Sequence, residues 1–172
     1  MGLKEGEFHK SIIDPKVEIW VTQLGSWANM NTAFIDRENQ VVVIVDPFDG
    51  GAWIEALRTE NLVPTHILLT HTHRDHTPGV KAIRNAYPDI EIWGHEESVS
   101  PSLFGRIIFR RTDFTHVWNH APNEITEWKC GSIVLSVIHS PGHAPGHVTF
   151  HGHGVYVAGD LLFTMRSGRV DL

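Results

Sequence analysis

The feature that most constrains this chain is one segment of six residues, His71-Thr72-His73-Arg74-Asp75-His76. It lies just after an apolar run and precedes Thr77-Pro78, a pair typical of a helix start with Thr77 as the N-cap. In an extended backbone, side chains at positions i and i+2 point the same way, so the first two histidines can reach one ion. The aspartate and the third histidine follow where the chain must turn, and they approach from another direction. The segment therefore predicts a metal-binding loop.

A histidine-rich surface loop is the alternative interpretation, and a lone His-x-His pair would favour it. The added aspartate and third histidine, at this spacing between a buried strand and a capped helix, favour the metal site. The composition supports this choice, because the chain has 13 histidines but only one cysteine, Cys130. Neither a thiolate cluster nor an internal disulfide can form, so histidine and carboxylate side chains must hold any metal.

The length and composition restrict the class of protein. A chain of 172 residues suits one domain, here residues 1–172, and is long enough to bury a core. Its longest apolar run, residues 41–45, is far shorter than the ~18 residues of a membrane span, and residues 1–10 lack the apolar stretch of a secretory signal. The formal net charge of −6 argues against a nucleic-acid partner. We therefore expect a cytoplasmic protein that binds neither nucleic acid nor membrane.

Hydrophobic periodicity predicts strands that alternate with helices. We expect helices over residues 52–60 and 78–87, and strands over residues 17–24, 32–36, 41–46, 65–70, 90–93, 133–138, 148–151 and 155–158. Residues 41–45 are apolar at every position, which indicates an inner strand covered on both faces. This order predicts an α/β fold in which ligand-bearing loops gather at strand ends.

The segment from residue 103 to residue 114 is the least regular part of the chain. It mixes apolar side chains with Arg106, Arg110 and Arg111, a pattern that an amphipathic helix would explain. These arginines either lie solvated on the surface or attract an anionic group of a substrate, and the sequence leaves both alternatives open.

Two later segments also place polar side chains directly after predicted strands. Ser140-Pro141-Gly142-His143 contains the first of two Pro-Gly turns, which make the loop rigid enough to fix one histidine. Ala158-Gly159-Asp160 ends the last predicted strand with a carboxylate, and its glycine lets the backbone approach a neighbour closely. Together with the opening segment, and in this order, they resemble the metallo-β-lactamase superfamily of metallohydrolases. Residues 141–150 and 159–171 are most similar to its glyoxalase II branch, the hydroxyacylglutathione hydrolases.

The resemblance implies a fold and a set of metal ligands. The fold would be a four-layer αββα sandwich of two mixed sheets with helices outside. Two metals would be bound, the first by His71, His73 and His143, the second by Asp75 and His76, with Asp160 as a bridge between them. Asp75 would also be catalytic, because it can accept a hydrogen bond from the attacking hydroxide and orient it. Asp46 matches a position near the site that, in the family, would hold the ligand-bearing loops rather than bind metal.

The resemblance assigns metal binding to none of the other histidines. His139 would be structural or would support a ligand, and His147 would open the next strand. The rest, His95 and His120 among them, would be ordinary surface or core residues.

One departure from the glyoxalase II branch affects the second metal. Members of that branch supply a further histidine ligand from sequence beyond the segment that ends here at Leu172. We therefore expect a C-terminally incomplete domain with a complete first site and an incomplete second site. We also expect an exposed edge of the second sheet, through which chains could form oligomers.

The resemblance implies a hydrolase in which a metal-activated hydroxide attacks a thioester or ester. The partner would be a small acyl substrate such as a glutathione thioester, and the cofactor one or two zinc ions, with iron or manganese as alternatives. Two other functions stay open. One is an oxidoreductase of the persulfide dioxygenase type with a single iron, and the other is a metal-binding domain without activity.

Overall fold

The computed structural model describes residues 4–25, 29–98, 113–163 and 166–168. Its helices are α1 (Gly50–Thr59), α2 (Val80–Ala86) and a 3-10 helix (Glu96–Ser98). The larger sheet contains β1 (His9–Asp14), β2 (Val17–Leu24), β3 (Asn29–Asp36), β4 (Val41–Val45), β5 (His66–Leu68), β6 (Glu91–His95) and β7 (His116–Trp118). The smaller sheet contains β8 (Ile125–Cys130), β9 (Ile133–His139), β10 (Val148–Gly152) and β11 (Val155–Val157), and a separate hairpin contains β12 (Leu162–Phe163) and β13 (Arg166–Ser167).

Strands β1 to β7 cross the larger sheet in sequence order. Neighbours are antiparallel from β1 to β4 and parallel from β4 to β7. All five residues of β4 are buried, which confirms the prediction of an inner strand covered on both faces. The carboxyl ends of parallel strands meet at one edge of a sheet, so the loop after β5 lies at the edge where ligands bind in such folds.

Two hydrophobic clusters define the layers. The first includes Phe34, Leu135 and Phe150 and lies between the two sheets. The second includes Trp20 and Leu57 and lies between the larger sheet and the two α-helices. The predicted α/β architecture is confirmed, and the described residues form its helix, sheet and sheet layers. In this part of the chain, no helix covers the outer face of the smaller sheet.

The starts of the two helices differ from each other. The Asp49 carboxylate caps α1 by accepting a hydrogen bond from the Ala52 backbone N–H at 3.0 Å. The predicted N-cap at Thr77 is wrong, because α2 begins at Val80 and its N-cap is Gly79. The Thr77 hydroxyl instead donates to the backbone carbonyl of His73 at 3.2 Å, and so helps to close the predicted metal-binding loop.

Periodicity did not predict the β12–β13 hairpin, and within the two main sheets the strands that it missed lie at the edges. They are β1 and β7 in the larger sheet and β8 in the smaller sheet. Most of their residues are exposed, so their sequences lack the regular apolar alternation that buried strands show. The helix predicted over residues 103–114 falls outside the described residues except for its last two positions, which are not helical.

The sequence also predicted that the chain has no membrane span and forms one domain. No helix among the described residues is long and apolar enough to cross a membrane. The single domain over residues 1–172 stays a prediction.

Asp36, the last residue of β3, joins the two sheets. Its buried carboxylate accepts hydrogen bonds from the Ser132 backbone N–H at 2.7 Å and from Asn39, through the backbone N–H at 3.1 Å and Nδ2 at 2.7 Å. Burial raises the pKa of this carboxyl, but the hydrogen bonds outweigh burial and lower the pKa to about 2. The ionised carboxylate therefore fastens the turn after β3 to the turn before β9.

We expect Asp36→Asn to lower the free energy of unfolding by about 1–3 kcal/mol at pH 7, because an amide accepts these N–H groups less well than a carboxylate. The folded pKa of about 2 is below the unfolded value of ~3.9. The carboxylate's contribution is therefore fully present above the unfolded pKa and is lost as the pH falls towards the folded one.

Urea unfolding between pH 7 and pH 3 measures this difference. The matched control is Glu38→Gln, which removes an exposed carboxylate from the same turn and should change stability by no more than ~0.5 kcal/mol. A difference between the wild type and Asp36→Asn that stays constant with pH would contradict the assignment.

Candidate metal centre

Three imidazoles and one carboxylate converge at the edge of the sandwich. His71 and His73 follow β5, and His143 lies in the loop between β9 and β10. Nδ1 of His73 lies 3.0 Å from Nε2 of His71 and 2.8 Å from Nε2 of His143. Oδ2 of Asp160 lies 3.4 Å from Nε2 of His143. One ligand atom from each of the four residues lies within 4.8 Å of the others, and we call these residues the first group.

His71 and His73 of the first group are buried, and burial controls the charge of these two rings. Desolvation lowers the pKa of His71 well below its ordinary value, and the neighbouring His76 lowers it further. Desolvation likewise lowers the pKa of His73, to about 4. Both rings are therefore neutral at pH 7, which is the state in which imidazole binds a metal.

The donor set of the first group fits a divalent metal. The nitrogen separations of 2.8 and 3.0 Å are slightly below the ~3.3 Å expected for two nitrogens bound tetrahedrally at ~2.05 Å. Three imidazole nitrogens with one carboxylate oxygen suit zinc and other borderline cations. Metal ions of this kind prefer neutral imidazoles held close together, and burial supplies them here.

A second group of potential ligands contains Asp75, His76 and Asp160. Nε2 of His76 lies 3.0 Å from Oδ1 of Asp160 and 3.5 Å from Oδ2 of Asp75. Asp160 therefore faces the first group with Oδ2 and the second group with Oδ1. This is the arrangement that a carboxylate shared between two ions requires.

His76 has the opposite charge state from His71 and His73. Burial lowers its pKa, but the carboxylates of Asp46 and Asp160 outweigh burial and raise the pKa to about 10. Burial raises the pKa of Asp160, whereas the hydrogen bond and charge of His76 lower it, with a net lowering. Without a bound metal, His76 is therefore a positively charged imidazolium at pH 7, and it lies between the carboxylates of Asp46 and Asp160.

Asp46 holds both ligand groups in place. It accepts hydrogen bonds from the Thr70 backbone N–H at 2.8 Å, from Thr70 Oγ1 at 2.5 Å and from His76 Nδ1 at 2.9 Å. Thr70 Oγ1 also lies 3.0 Å from Nδ1 of His71. One carboxylate therefore orients a ligand in each group, as the resemblance implied for Asp46.

Gly159 lets the Asp160 loop approach the centre. Its φ of +52° lies in the left-handed region, and a Cβ there would lie 2.6 Å from Thr70 Oγ1 and 2.8 Å from His147 Nε2. His147 is buried, and desolvation lowers its pKa to about 3. It directly precedes β10, as predicted, and its ring packs against His71 at a centroid distance of 5.0 Å.

Asn29 at the start of β3 is a contact that sequence reasoning missed. Its Nδ2 donates to Oδ2 of Asp75 at 2.9 Å and to the Asp75 backbone carbonyl at 3.1 Å. The two residues are 46 positions apart, so no spacing rule connects them. Asn29 therefore fixes the orientation of the carboxylate that the resemblance makes catalytic.

Comparison with known proteins identifies relatives of this chain. The hydroxyacylglutathione hydrolase of Aeromonas salmonicida is 33% identical over 140 residues, which cover 81% of this chain and 50% of the relative. That of Tolumonas auensis is 28% identical over the same shares of the two chains. This chain thus spans about half the length of the curated relatives it matches.

Two solved structures share the fold with detectable sequence similarity. The BLEG-1 B3 metallo-beta-lactamase is 30% identical with a TM-score of 0.73, over 90% of this chain and 77% of that one. TTHA1623 in a di-iron-bound form is 28% identical with a TM-score of 0.64, over 88% of this chain and 77% of that one.

The family model described as "Metallo-beta-lactamase superfamily" matches residues 26–172. This range includes every residue of both ligand groups, and the family implies binding of a divalent metal. The family match extends over most of the sequence, and the curated relatives specify the branch. The chain therefore belongs to the metallo-beta-lactamase superfamily, as a glyoxalase II-like member.

Proposed function

We propose that this chain is a metal-dependent hydrolase that cleaves a thioester, with a hydroxyacylglutathione as the substrate class. The observation that carries the proposal is Asp160, whose two oxygens face the histidines of the two ligand groups, His143 in the first and His76 in the second. In this proposal His71, His73 and His143 bind the first metal, Asp75 and His76 bind the second, and Asp160 bridges them. The relatives named hydroxyacylglutathione hydrolase support the thioester substrate.

A divalent metal bound by these residues would lower the pKa of a water molecule towards neutrality and polarise the substrate's carbonyl oxygen. The side chains perform the remaining tasks. The neutral imidazoles of His71 and His73 offer lone pairs, and Asp160 supplies negative charge. Asp75 is 19% exposed, and its carboxylate can accept a hydrogen bond from the attacking hydroxide and orient it. Hydrolysis forms a C–O bond, breaks the C–S bond and releases the thiol.

Zinc is the metal that the donor set favours, because three imidazoles and a carboxylate are typical zinc ligands. Iron and manganese are the alternatives, and the di-iron form of the similar TTHA1623 supports iron. Metal analysis of the purified protein, with one or two ions bound per chain, decides among them.

Hydrolysis of β-lactams is a second candidate function. The observation that favours it is the similarity to the BLEG-1 B3 metallo-beta-lactamase over 90% of this chain. Parallel assays with a hydroxyacylglutathione and a chromogenic cephalosporin separate the two substrates. The curated relatives are named hydroxyacylglutathione hydrolases, and this favours hydrolysis over an iron-dependent dioxygenase. An oxygen-consumption assay tests that alternative.

The cellular setting follows from the same proposal. A glutathione thioester would be available in the cytoplasm, where glutathione is abundant, so we infer a cytoplasmic location.

An oligomer formed through a sheet edge stays a prediction. Ile125 on the edge strand β8 is 64% exposed and would lie in such a contact.

We expect the double variant His71→Ala, His73→Ala to lose the first metal and to reduce thioester hydrolysis at least 100-fold, because two of its three imidazole ligands are gone. Metal content and kcat/KM are measured on the same preparations. His151→Ala is the matched control, since it removes an exposed histidine on β10. Equal activity in the wild type and the double variant would refute the metallohydrolase.

We expect Asn29→Ala to weaken binding of the second metal about 10-fold, because loss of a residue that orients a ligand typically costs that much. Binding of the first metal should change little. Stepwise removal of metal with a chelator measures the two affinities separately. Met30→Ala, an exposed position next along β3, is the control, and equal weakening of both metals would show that Asn29 acts only on folding.

A further inference from the structure

The three imidazoles of the first group come from two different sheets. His71 and His73 follow β5 of the larger sheet, whereas His143 follows β9 of the smaller sheet. Nitrogens bound to one zinc ion must keep separations close to those of a tetrahedron, so metal affinity depends on how the two sheets hold these histidines relative to each other. We call residues 70–76 the first ligand loop and residues 140–147 the second ligand loop.

Ser98 contacts both ligand loops. It ends the 3-10 helix after β6 and is 6% exposed, whereas the two glutamates before it are exposed. Its backbone carbonyl accepts a hydrogen bond from Thr72 Oγ1 at 2.9 Å, and its own Oγ donates to the backbone carbonyl of Gly146 at 2.9 Å. Thr72 lies between the two histidines of the first ligand loop, and Gly146 lies three residues after His143. The two hydrogen bonds therefore connect both parts of the first group through one residue.

The contact between Ser98 and Gly146 depends on the missing side chain of the glycine. A Cβ on Gly146 would overlap the Ser98 backbone nitrogen and would lie 2.5 Å from Ser98 Oγ. Any other residue at position 146 would push the second ligand loop away from the 3-10 helix. The glycine therefore permits direct backbone contact at the point where Ser98 donates its hydrogen bond.

Hydrogen bonds within the second ligand loop make its parts move together. The Ser140 backbone N–H donates to the carbonyl of His147 at 2.9 Å, and the His147 N–H donates to the carbonyl of Ala144 at 3.2 Å. These bonds close the loop around the ligand His143. A displacement at Gly146 is therefore transmitted to His143.

A direct hydrogen bond also joins the two loops at their base, from the Val148 backbone N–H to the Thr70 carbonyl at 2.8 Å. Thr72 and Gly146 each lie two residues further into their loops than this pair. One hydrogen bond at the base leaves the loops free to pivot about it. The connection through Ser98, further into both loops, restricts that pivot.

We propose that Ser98 is a positioning residue for the metal of the first group, because it holds His143 at a fixed distance from His71 and His73. Ser98 belongs to neither ligand group and acts only through the two loops. Residues that orient metal ligands in this indirect way contribute to metal affinity. The inference rests on the proposed function in one respect, namely that the first group binds a metal.

The two hydrogen bonds of Ser98 act in series, so loss of either one disconnects the loops. Zinc affinity of the metal-free chain is measured by competition with a chromogenic chelator. We expect Ser98→Ala and Thr72→Val each to weaken binding of the first zinc ion about 3–10-fold, because each removes one hydrogen bond. The double variant should bind no more weakly than the weaker single variant. Thr72→Ser keeps the hydroxyl and should restore the affinity of the wild type.

Ser140→Ala is the matched control for removal of a hydroxyl. Ser140 Oγ donates to the Ile138 carbonyl at 3.2 Å within its own segment and does not join the loops, so zinc affinity should stay unchanged. The visible spectrum of the cobalt(II) form reports the geometry around the ion. It should change in Ser98→Ala and not in Ser140→Ala, and melting temperatures establish that each variant is folded.

Three outcomes would overturn the proposal for Ser98 alone. They are an unchanged zinc affinity in Ser98→Ala, an equal loss of affinity in Ser140→Ala, and a loss in the double variant equal to the product of the two single losses. A wild type that binds no zinc would instead refute the metal centre, and with it both the proposed function and this inference. The two kinds of failure are therefore distinguishable.

Discussion

The buried carboxylate of Asp46 connects the elements on which the metal centre depends. Asp46 follows β4 with φ at +49°, a left-handed conformation that aspartate tolerates better than most residues. In this conformation its two oxygens accept three hydrogen bonds, two from Thr70 after β5 and one from His76 in the ligand loop. A buried carboxylate is costly unless it is hydrogen-bonded. The loop conformation and the carboxylate therefore stabilise each other, and the inner strand β4 fixes the position of both.

Charge is distributed unevenly across the centre. Burial keeps the imidazoles of His71 and His73 neutral, so the first group can accept a cation without releasing protons from these rings. The second group instead contains a protonated His76 among the carboxylates of Asp46, Asp75 and Asp160. Three carboxylates and one proton leave a net negative charge around His76, which attracts cations but makes a metal compete with the proton on Nε2. Metal binding must therefore displace a proton from His76 in the second group but not from His71 or His73 in the first, although the two groups share Asp160.

Local sequence patterns predicted only part of the site. Four candidate ligands lie within His71 to His76, where alternation along an extended backbone is sufficient to bring two of them together. Periodicity predicted the α/β class and the buried strand β4, whereas the αββα sandwich, His143 and Asp160 came from family resemblance. Asn29 was missed because sheet pairing brings β3 next to a loop 46 residues away. Thr77 was misassigned because its hydroxyl bonds to His73, a tertiary contact that the capping pattern does not contain.

The spacing of the two ligand loops depends on the 3-10 helix after β6, which contributes no ligand to the centre. Ser98, just after β6, accepts a hydrogen bond from Thr72 Oγ1 at its backbone carbonyl and donates one from Oγ to the carbonyl of Gly146. Thr72 lies between His71 and His73, and Gly146 lies three residues after His143. The separation of these histidines is thus set by Ser98 as well as by their own contacts. A shift of the 3-10 helix would move one loop relative to the other, so residues around Ser98 can alter metal affinity without touching the metal.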